Sequence, residues 1–222
     1  MTPFNRLFSL MSKPWFVLTY LFFIVLTFMF VDKPLAEYMH TIDLRTNFAL
    51  LSLITKLGLS ALYLGFFLAG ALFFRYVQVN PVYEARFWFL WLCVLFTESI
   101  CGVLKVILGR ARPDMWFETQ SFGFYGLQTK ASFWSFPSGH TTAVMAVAFG
   151  MSIIFPRQRY IYITAGILVA LSRVLLVHHY LTDILSAIYL VVFEIGLLLC
   201  FLQKRAWLSS AFRDEKVLKM AY

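Results

Sequence analysis

Six long apolar runs separated by short polar stretches dominate the chain. The runs cover about residues 15–31, 50–74, 87–108, 137–155, 160–177 and 180–202. Each is close to or longer than the roughly 20 residues that a helix needs to cross a bilayer. The pattern therefore predicts an all-α integral membrane protein, with residues 1–222 as one domain built as a six-helix bundle.

Composition agrees with a membrane protein. Apolar residues make up 61% of the chain and charged residues 14%, whereas a soluble domain is about half apolar and a quarter charged. The net charge of +8 could suggest nucleic acid, but the basic residues fall mostly between apolar runs and at the C-terminus. That distribution fits an anionic membrane surface, so the predicted partner is the lipid bilayer and not nucleic acid.

Cysteines and loop charges add two expectations. Cys93, Cys101 and Cys200 all lie in apolar runs, which predicts packing residues and no disulfide framework. Lys and Arg concentrate in the N-terminal arm, the turns at 75–86 and 157–159, and the tail, so these segments and both termini are predicted to be cytoplasmic. Arg110 and Lys130 are interpreted as interface anchors on the opposite side.

Three short polar islands interrupt the apolar sequence between residues 105 and 183. They consist of Lys105 with Arg112-Pro113, then Pro137-Ser138-Gly139-His140, then Ser172-Arg173 with His179 and Asp183. Six crossings place all three on one non-cytoplasmic face. Three cations, two histidines and a carboxylate there suit a tetrahedral oxyanion such as phosphate.

Each island also has a purely structural interpretation. Pro137, Ser138 and Gly139 can simply start a helix, although a helix N-terminus also binds anions. Charges at helix ends are commonly interface anchors, but Arg173 lies within an apolar run, where cations usually mark function. His179 and Asp183 are four residues apart and would share a helix face, either as an oriented nucleophile or as a polar cap.

The sequence assigns no site role to three other polar residues. His178 is interpreted as an interface residue. Glu98 and Glu194, deep in apolar runs, would form interior hydrogen bonds or be protonated.

Taken in order, the islands resemble the signature of the type 2 phosphatidic acid phosphatase (PAP2) superfamily, which shares its site with vanadium haloperoxidases. Its pattern is Lys-x6-Arg-Pro, Pro-Ser-Gly-His and Ser-Arg-x5-His-x3-Asp, and every specified position matches. The resemblance implies that His179 attacks phosphorus, Asp183 orients it and His140 protonates the leaving group. It further implies that Lys105, Arg112, Arg173, Ser138 and the Gly139 amide bind phosphate, without metal or cofactor.

The resulting expectation is a metal-independent phosphatase acting on a membrane lipid phosphate through a phosphohistidine. Undecaprenyl pyrophosphate, lipid A phosphate, phosphatidylglycerol phosphate and phosphatidate are the candidate substrates, with residues 115–134 selecting among them. The expected location is a bacterial inner membrane with the site facing the periplasm. Two alternatives remain, a haloperoxidase-type vanadate site and a non-catalytic protein that binds or moves lipid phosphates. The sequence does not predict the oligomeric state.

Overall fold

The computed structural model describes residues 2–204, and these form an all-α protein, as predicted. The helices are α1 Pro3–Met11, α2 Pro14–Phe30, α3 Asp32–Ile42, α4 Leu44–Asn47, α5 Ala49–Thr55, α6 Ser60–Tyr76, α7 Pro81–Leu108, α8 Pro113–Thr119, α9 Gly139–Ile154, α10 Arg159–Leu175 and α11 Leu181–Lys204. Five of the six predicted runs correspond to α2, α7, α9, α10 and α11. The predicted tail cations beyond Lys204 lie outside the described residues.

Several helices are long and apolar enough to cross a membrane, which identifies a membrane protein. Within residues 2–204, α7 and the Leu181–Leu202 part of α11 qualify alone. Two bent pairs qualify when each is taken as one span: α1 with α2, at 73°, and Leu50–Gly58 with α6, at 55°. The helix α9 is apolar but has only 16 residues. Six complete crossings therefore stay a prediction.

The second apolar run is not one helix, which corrects the prediction for residues 50–74. It breaks at a 3-10 turn, Lys56–Gly58, and at Leu59, whose backbone is extended. The break is tied to tertiary contacts: a Cβ on Gly58 would lie 2.7 Å from the Cβ of His140. Arg173 also donates to Thr55 Oγ1, at 2.8 Å. The bend therefore brings this segment to two of the polar islands.

Helix α7 begins earlier than the predicted residue 87. Asn80 caps it, accepting hydrogen bonds from the amides of Val82 and Tyr83 at 3.1 and 3.2 Å, and Pro81 occupies the first turn. Pro is well suited to that position because its missing N–H would have no helical partner. The Asn80-Pro81 pair, interpreted as a loop, is a helix start.

Helix α9 lies at the centre of the bundle, packed against α6, α7, α10 and α11. The core around it contains fully buried Phe89, Val94, Met145, Val191 and Ile195. Its position explains why the polar island at its N-terminus can reach residues on several other helices.

The three cysteines are all free, in line with the predicted lack of a disulfide framework. Cys93 and Cys101 are buried, as expected of packing residues, whereas Cys200 is exposed.

Gly109 ends α7 in the left-handed conformation, with φ of 54°, and a Cβ there would lie 1.9 Å from the Gly126 carbonyl oxygen. We expect Gly109→Ala to destabilise the fold by more than the ~1–2 kcal/mol of the left-handed backbone alone, because the clash adds to it. Thermal unfolding in detergent measures this. Gly102→Ala, on the same helix with open space around it, is the control. Equal melting temperatures for both variants would contradict the prediction.

Candidate active site

The three polar islands lie together, as the sequence predicted. The Ser138 amide donates to the Asp183 carbonyl at 3.3 Å, which joins the second island to the third. Lys105 Nζ donates to the carbonyl of Trp134 at 2.9 Å, three residues before Pro137. The loop between α7 and α9 thus connects all three islands into one polar centre.

His179 and Asp183 form a buried polar pair in this centre. His179 Nδ1 lies 3.4 Å from Asp183 Oδ2, and their side chains are 2% and 0% exposed. The same carboxylate oxygen accepts from the Tyr180 amide at 2.9 Å and from Ser135 Oγ at 2.6 Å. This burial excludes a surface ion pair, whereas the bond from the Tyr180 amide shows that Asp183 also caps the start of α11.

Helix α11 begins at Leu181, close to the predicted start near residue 180, so His179 lies just outside it and the prediction that His179 and Asp183 share a helix face is wrong. His179 lies in the turn before α11, where the His178 and His179 amides both donate to the Arg173 carbonyl. Val177 in this turn has φ of 56°, which is unfavourable for a β-branched residue. Strain of this kind persists where the surrounding structure imposes it, commonly at functional sites.

Burial lowers the pKa of His179 well below its usual range, and the nearby charges of Lys105 and Arg112 act in the same direction. The hydrogen bond and the charge of Asp183 oppose that shift. The imidazole is therefore neutral at neutral pH. With Nδ1 directed at the carboxylate, the other ring nitrogen, Nε2, carries the lone pair.

The second island begins helix α9, as predicted. Ser138 is the N-cap and its Oγ accepts from the Thr141 amide at 3.5 Å. Gly139 and His140 follow in the first turn, where amides have no partner within the helix. A Cβ on Gly139 would lie 3.8 Å from Lys105 Nζ, so the ammonium group stands beside this N-terminus.

The cations predicted to bind phosphate converge on the same region. Lys105, Arg112 and Arg173 all interact electrostatically with His140. Arg112 Nε donates to the Ala131 carbonyl at 3.1 Å, and Arg173, 6% exposed, is held by Thr55. Three cations around one imidazole attract an anion, and guanidinium groups form strong charge-assisted hydrogen bonds with phosphate oxygens.

Arg110 is not an interface anchor, and this prediction is wrong. Its side chain is 0% exposed and lies between Asp32 and Asp183, with an Nη2–Oδ2 distance of 2.7 Å to Asp32. Nη1 donates to Asp183 Oδ1 and to Thr182 Oγ1. A cation that ends an apolar run looks the same in sequence whether its head reaches water or a buried carboxylate.

Sequence reasoning also missed Ser135, Thr55 and Asp32. Ser135 lies two residues before Pro137, and its proximity to the second island was the available signal. Asp32 follows an apolar run directly, which resembled a loop charge. Thr55 carried no signal, because its role depends on the bend at Gly58.

His178 and the two buried glutamates remain without assigned roles. His178 is half-buried, and within residues 2–204 its Nδ1 has no hydrogen-bond partner. Glu98 Oε1 and Glu194 Oε2 are likewise buried without a partner in this part of the chain. The described residues contain no group of three or more His, Cys, Asp or Glu side chains that could hold a metal ion.

Comparison with known proteins identifies the family. The sequence profile of the PAP2 superfamily matches residues 86–207, which is more than half of the chain. The chain therefore belongs to the PAP2 superfamily. Asp32 lies outside the matched region, whereas Arg110 and all three islands lie inside it.

Individual relatives are phosphatases by name. A lipid A 1-phosphatase from Rhizobium etli is 35% identical over 100 residues, which is 45% of this chain and 43% of that protein. Phosphatidylglycerophosphatase B from Bacillus subtilis is 35% identical over 127 residues, 52% of this chain and 55% of its own. The matches thus span about half the length of these relatives. A solved structure of a transmembrane PAP2 type phosphatidylglycerolphosphate phosphatase from Bacillus subtilis is 24% identical, covers 90% of this chain and 92% of its own, and has a TM-score of 0.49.

Proposed function

We propose that the protein is a metal-independent phosphatase that hydrolyses a membrane lipid phosphate through a phosphohistidine intermediate. The observation that carries this proposal is the buried His179–Asp183 pair, facing a cluster of cations at the N-terminus of α9. Membership of the PAP2 superfamily and the phosphatase names of the relatives support it.

The cations and the α9 N-terminus bind the phosphate group. Arg112 and Arg173 suit bidentate contact with its oxygens, and Lys105 adds a third positive charge. The Ser138 hydroxyl and the Gly139 amide complete the cradle, with the helix dipole favouring the anion. In a site shielded from water, such fixed charges stabilise the transition state strongly.

Phosphoryl transfer then uses the two histidines. The His179 Nε2 lone pair forms a bond to phosphorus while the ester P–O bond breaks, and His140 donates a proton to the departing oxygen. Asp183 accepts from Nδ1 and stabilises the cationic phosphohistidine. In the second half, neutral His140 takes a proton from water, water oxygen attacks phosphorus and the P–N bond breaks. Inorganic phosphate leaves, and both histidines return to their starting states.

The substrate class is a phosphate ester or diphosphate on a lipid head group. The site is framed by helices of membrane-spanning character, which favours a substrate that enters from the bilayer. Because one matched relative is named a lipid A 1-phosphatase and another a phosphatidylglycerophosphatase, both head groups belong in the first tests. Selection by residues 115–134 stays a prediction.

Phosphate release from a lipid panel tests the function. Purified protein in detergent is given lipid A, phosphatidylglycerol phosphate, phosphatidate or undecaprenyl pyrophosphate, each with and without EDTA. Release that persists in EDTA and disappears in His179→Ala is the expected result. Binding of these lipids without release would favour a non-catalytic lipid-binding protein, and activity lost in EDTA but restored by magnesium would contradict the mechanism.

We also propose that the site faces away from the cytoplasm in a bacterial inner membrane, with both termini cytoplasmic. The argument is the concentration of Lys and Arg in the loops opposite the islands.

Single cysteines test this topology. In a background without Cys93, Cys101 and Cys200, we expect Lys130→Cys to react with an impermeant thiol reagent in intact spheroplasts. Gln158→Cys should react only after the membrane is opened. Both positions are exposed, so the protein itself would cover neither thiol. Reaction of both cysteines in closed spheroplasts would refute the arrangement.

A further inference from the structure

A buried ionic cluster extends from the catalytic carboxylate toward the N-terminal half of the chain. It consists of Asp32, Arg110, Thr182 and Asp183, and the side chains of its three charged members are all 0% exposed. Asp32 is the first residue of α3, Arg110 follows α7, and Thr182 lies next to Asp183 on α11. Three segments distant in sequence thus meet behind the nucleophile.

Hydrogen bonds close this cluster into a ring. Arg110 Nη2 donates to Asp32 Oδ2 at 2.7 Å, and Nη1 donates to Thr182 Oγ1 at 2.6 Å. The Thr182 amide donates to Asp32 Oδ1 at 3.0 Å, and its hydroxyl donates to Asp32 Oδ2. Nη1 also donates to Asp183 Oδ1. Both carboxylates therefore have their oxygens oriented by specific donors.

Aromatic rings shield the guanidinium from solvent. Its central carbon lies 4.5 Å from the ring centroid of Tyr180 and 5.0 Å from that of Phe28. The rings of Phe124 and Phe122 lie at 5.4 and 6.0 Å. In such surroundings the charges act on one another with little screening.

The position of each oxygen of Asp183 suggests what the cluster does. Oδ1 is held by Arg110, and this orients Oδ2 toward His179 Nδ1, Ser135 and the Tyr180 amide. The cluster has two carboxylates and one guanidinium, so one negative charge remains. A cationic phosphohistidine at His179 would balance that charge.

We propose that Asp32 and Arg110 are positioning residues for the lipid phosphatase reaction: Arg110 orients Asp183, and Asp32 offsets the Arg110 charge so that Asp183 can stabilise a cationic His179. This inference rests on the proposed function. The rival interpretation is that the pair only attaches α3 to α11 and stabilises the fold.

Variants that remove one charge distinguish the positioning role from the purely structural role. Asp32→Asn and Arg110→Met should move the acid limb of the pH–rate profile, where the rate falls as His179 becomes protonated, in opposite directions. Charged groups facing His179 are Asp183 on α11, Lys105 on α7 and Arg112 at the start of α8. In Asp32→Asn, Asp32 no longer offsets the Arg110 charge, so Arg110 interacts more strongly with Asp183. Asp183 then stabilises protonated His179 less, and the acid limb moves to lower pH. With Arg110→Met, the carboxylates are no longer offset and the limb moves to higher pH.

The experiment measures kcat, KM and the pH profile for the lipid that the wild type hydrolyses, beside thermal unfolding. We expect Asp32→Asn to lower kcat about tenfold, the equivalent of one pKa unit, with KM nearly unchanged. The double variant Asp32→Asn/Arg110→Met removes opposite charges together, so its acid limb should return toward that of the wild type. Glu84→Gln removes a charge in the first turn of α7, at the opposite end of that helix from Arg110, and should change none of these quantities.

Coupling to Asp183 gives a second readout. In an Asp183→Asn background, Asp32→Asn should lower kcat little further, because the residue through which it acts is already altered. Acid limbs that stay at the wild-type pH, or equal kcat losses in both backgrounds, would overturn the proposal. Asparagine keeps the shape of Asp32, so failure of Asp32→Asn to fold would also overturn it in favour of a structural role. If the wild type releases no phosphate, the proposed function fails first.

Discussion

His179→Ala is expected to reduce phosphate release by roughly 10⁴-fold or more, to the background rate, because the phosphoryl group has no other acceptor. His179 is 2% exposed, and its Nδ1 is directed at Asp183, which leaves Nε2 to attack. An activated aryl phosphate should not rescue this variant, since a better leaving group does not replace a missing nucleophile. Rapid quenching of labelled substrate in wild-type protein should trap an acid-labile, base-stable phosphoryl group on His179.

The protonation state of His179 predicts how the rate of attack on phosphorus changes with pH. Attack needs the neutral imidazole, and the lowered pKa of His179 keeps it neutral below the usual histidine range. Protonation of His179 should therefore not limit the rate as pH falls through about 6.5, the usual value, and the loss of rate caused by it should appear only at lower pH. His40→Ala is the matched control, because His40 is exposed and stacks on Phe117 at 4.0 Å. A phosphoryl group found on His140 would reverse the assignment of nucleophile and acid.

His140→Ala is expected to slow hydrolysis of lipid phosphates by roughly 10²–10⁴-fold, the range typical of general acid–base catalysis. The alkoxide that leaves a lipid phosphate needs a proton, and His140 follows Gly139 directly at the anion-binding end of α9. Activated aryl phosphates leave without that proton, so they should recover most of the lost rate in the first step. Comparing kcat/KM on the two substrate types in wild type and variant measures the recovery, because kcat also includes hydrolysis of the phosphohistidine, in which His140 acts as base.

Gly58→Ala tests the role of His140 without removing its imidazole. A Cβ at this position would lie within 3 Å of the His140 ring, so Gly58→Ala should displace the imidazole while keeping it chemically intact. We expect this variant to lose lipid activity with partial rescue by an aryl phosphate, as in His140→Ala. Equal loss of kcat/KM on both substrate types in His140→Ala would contradict the role of a general acid.

Much of the site could be predicted because its residues occur in short polar islands. Lys105, Arg112, Arg173 and the histidines stand out in a chain that is 61% apolar. Charged groups in such a setting are costly to bury, so their presence signals function before any contact is known. Loop charges additionally predicted that the islands meet at one face, and the structure brings them together.

Contacts between distant segments could not be predicted in the same way. Asp32 and Arg110 each follow an apolar run, and either could have extended to the membrane surface. Nothing within a few residues of Asp32 indicates that its partners are 78 and 150 residues away. The sequence also gives no sign of the helix break at Gly58, because glycine is tolerated within helices. Only the close approach of His140 requires a glycine at this position.

The helical membrane class, the polar islands and the chemistry of their side chains follow from residue type and local spacing, so they could be predicted before any contact was known. The burial of Arg110, the position of His179 in a turn before α11 and the bond from Arg173 to Thr55 depend instead on contacts between distant helices. A buried charge is stable only with a partner. That partner is chosen by how the helices pack.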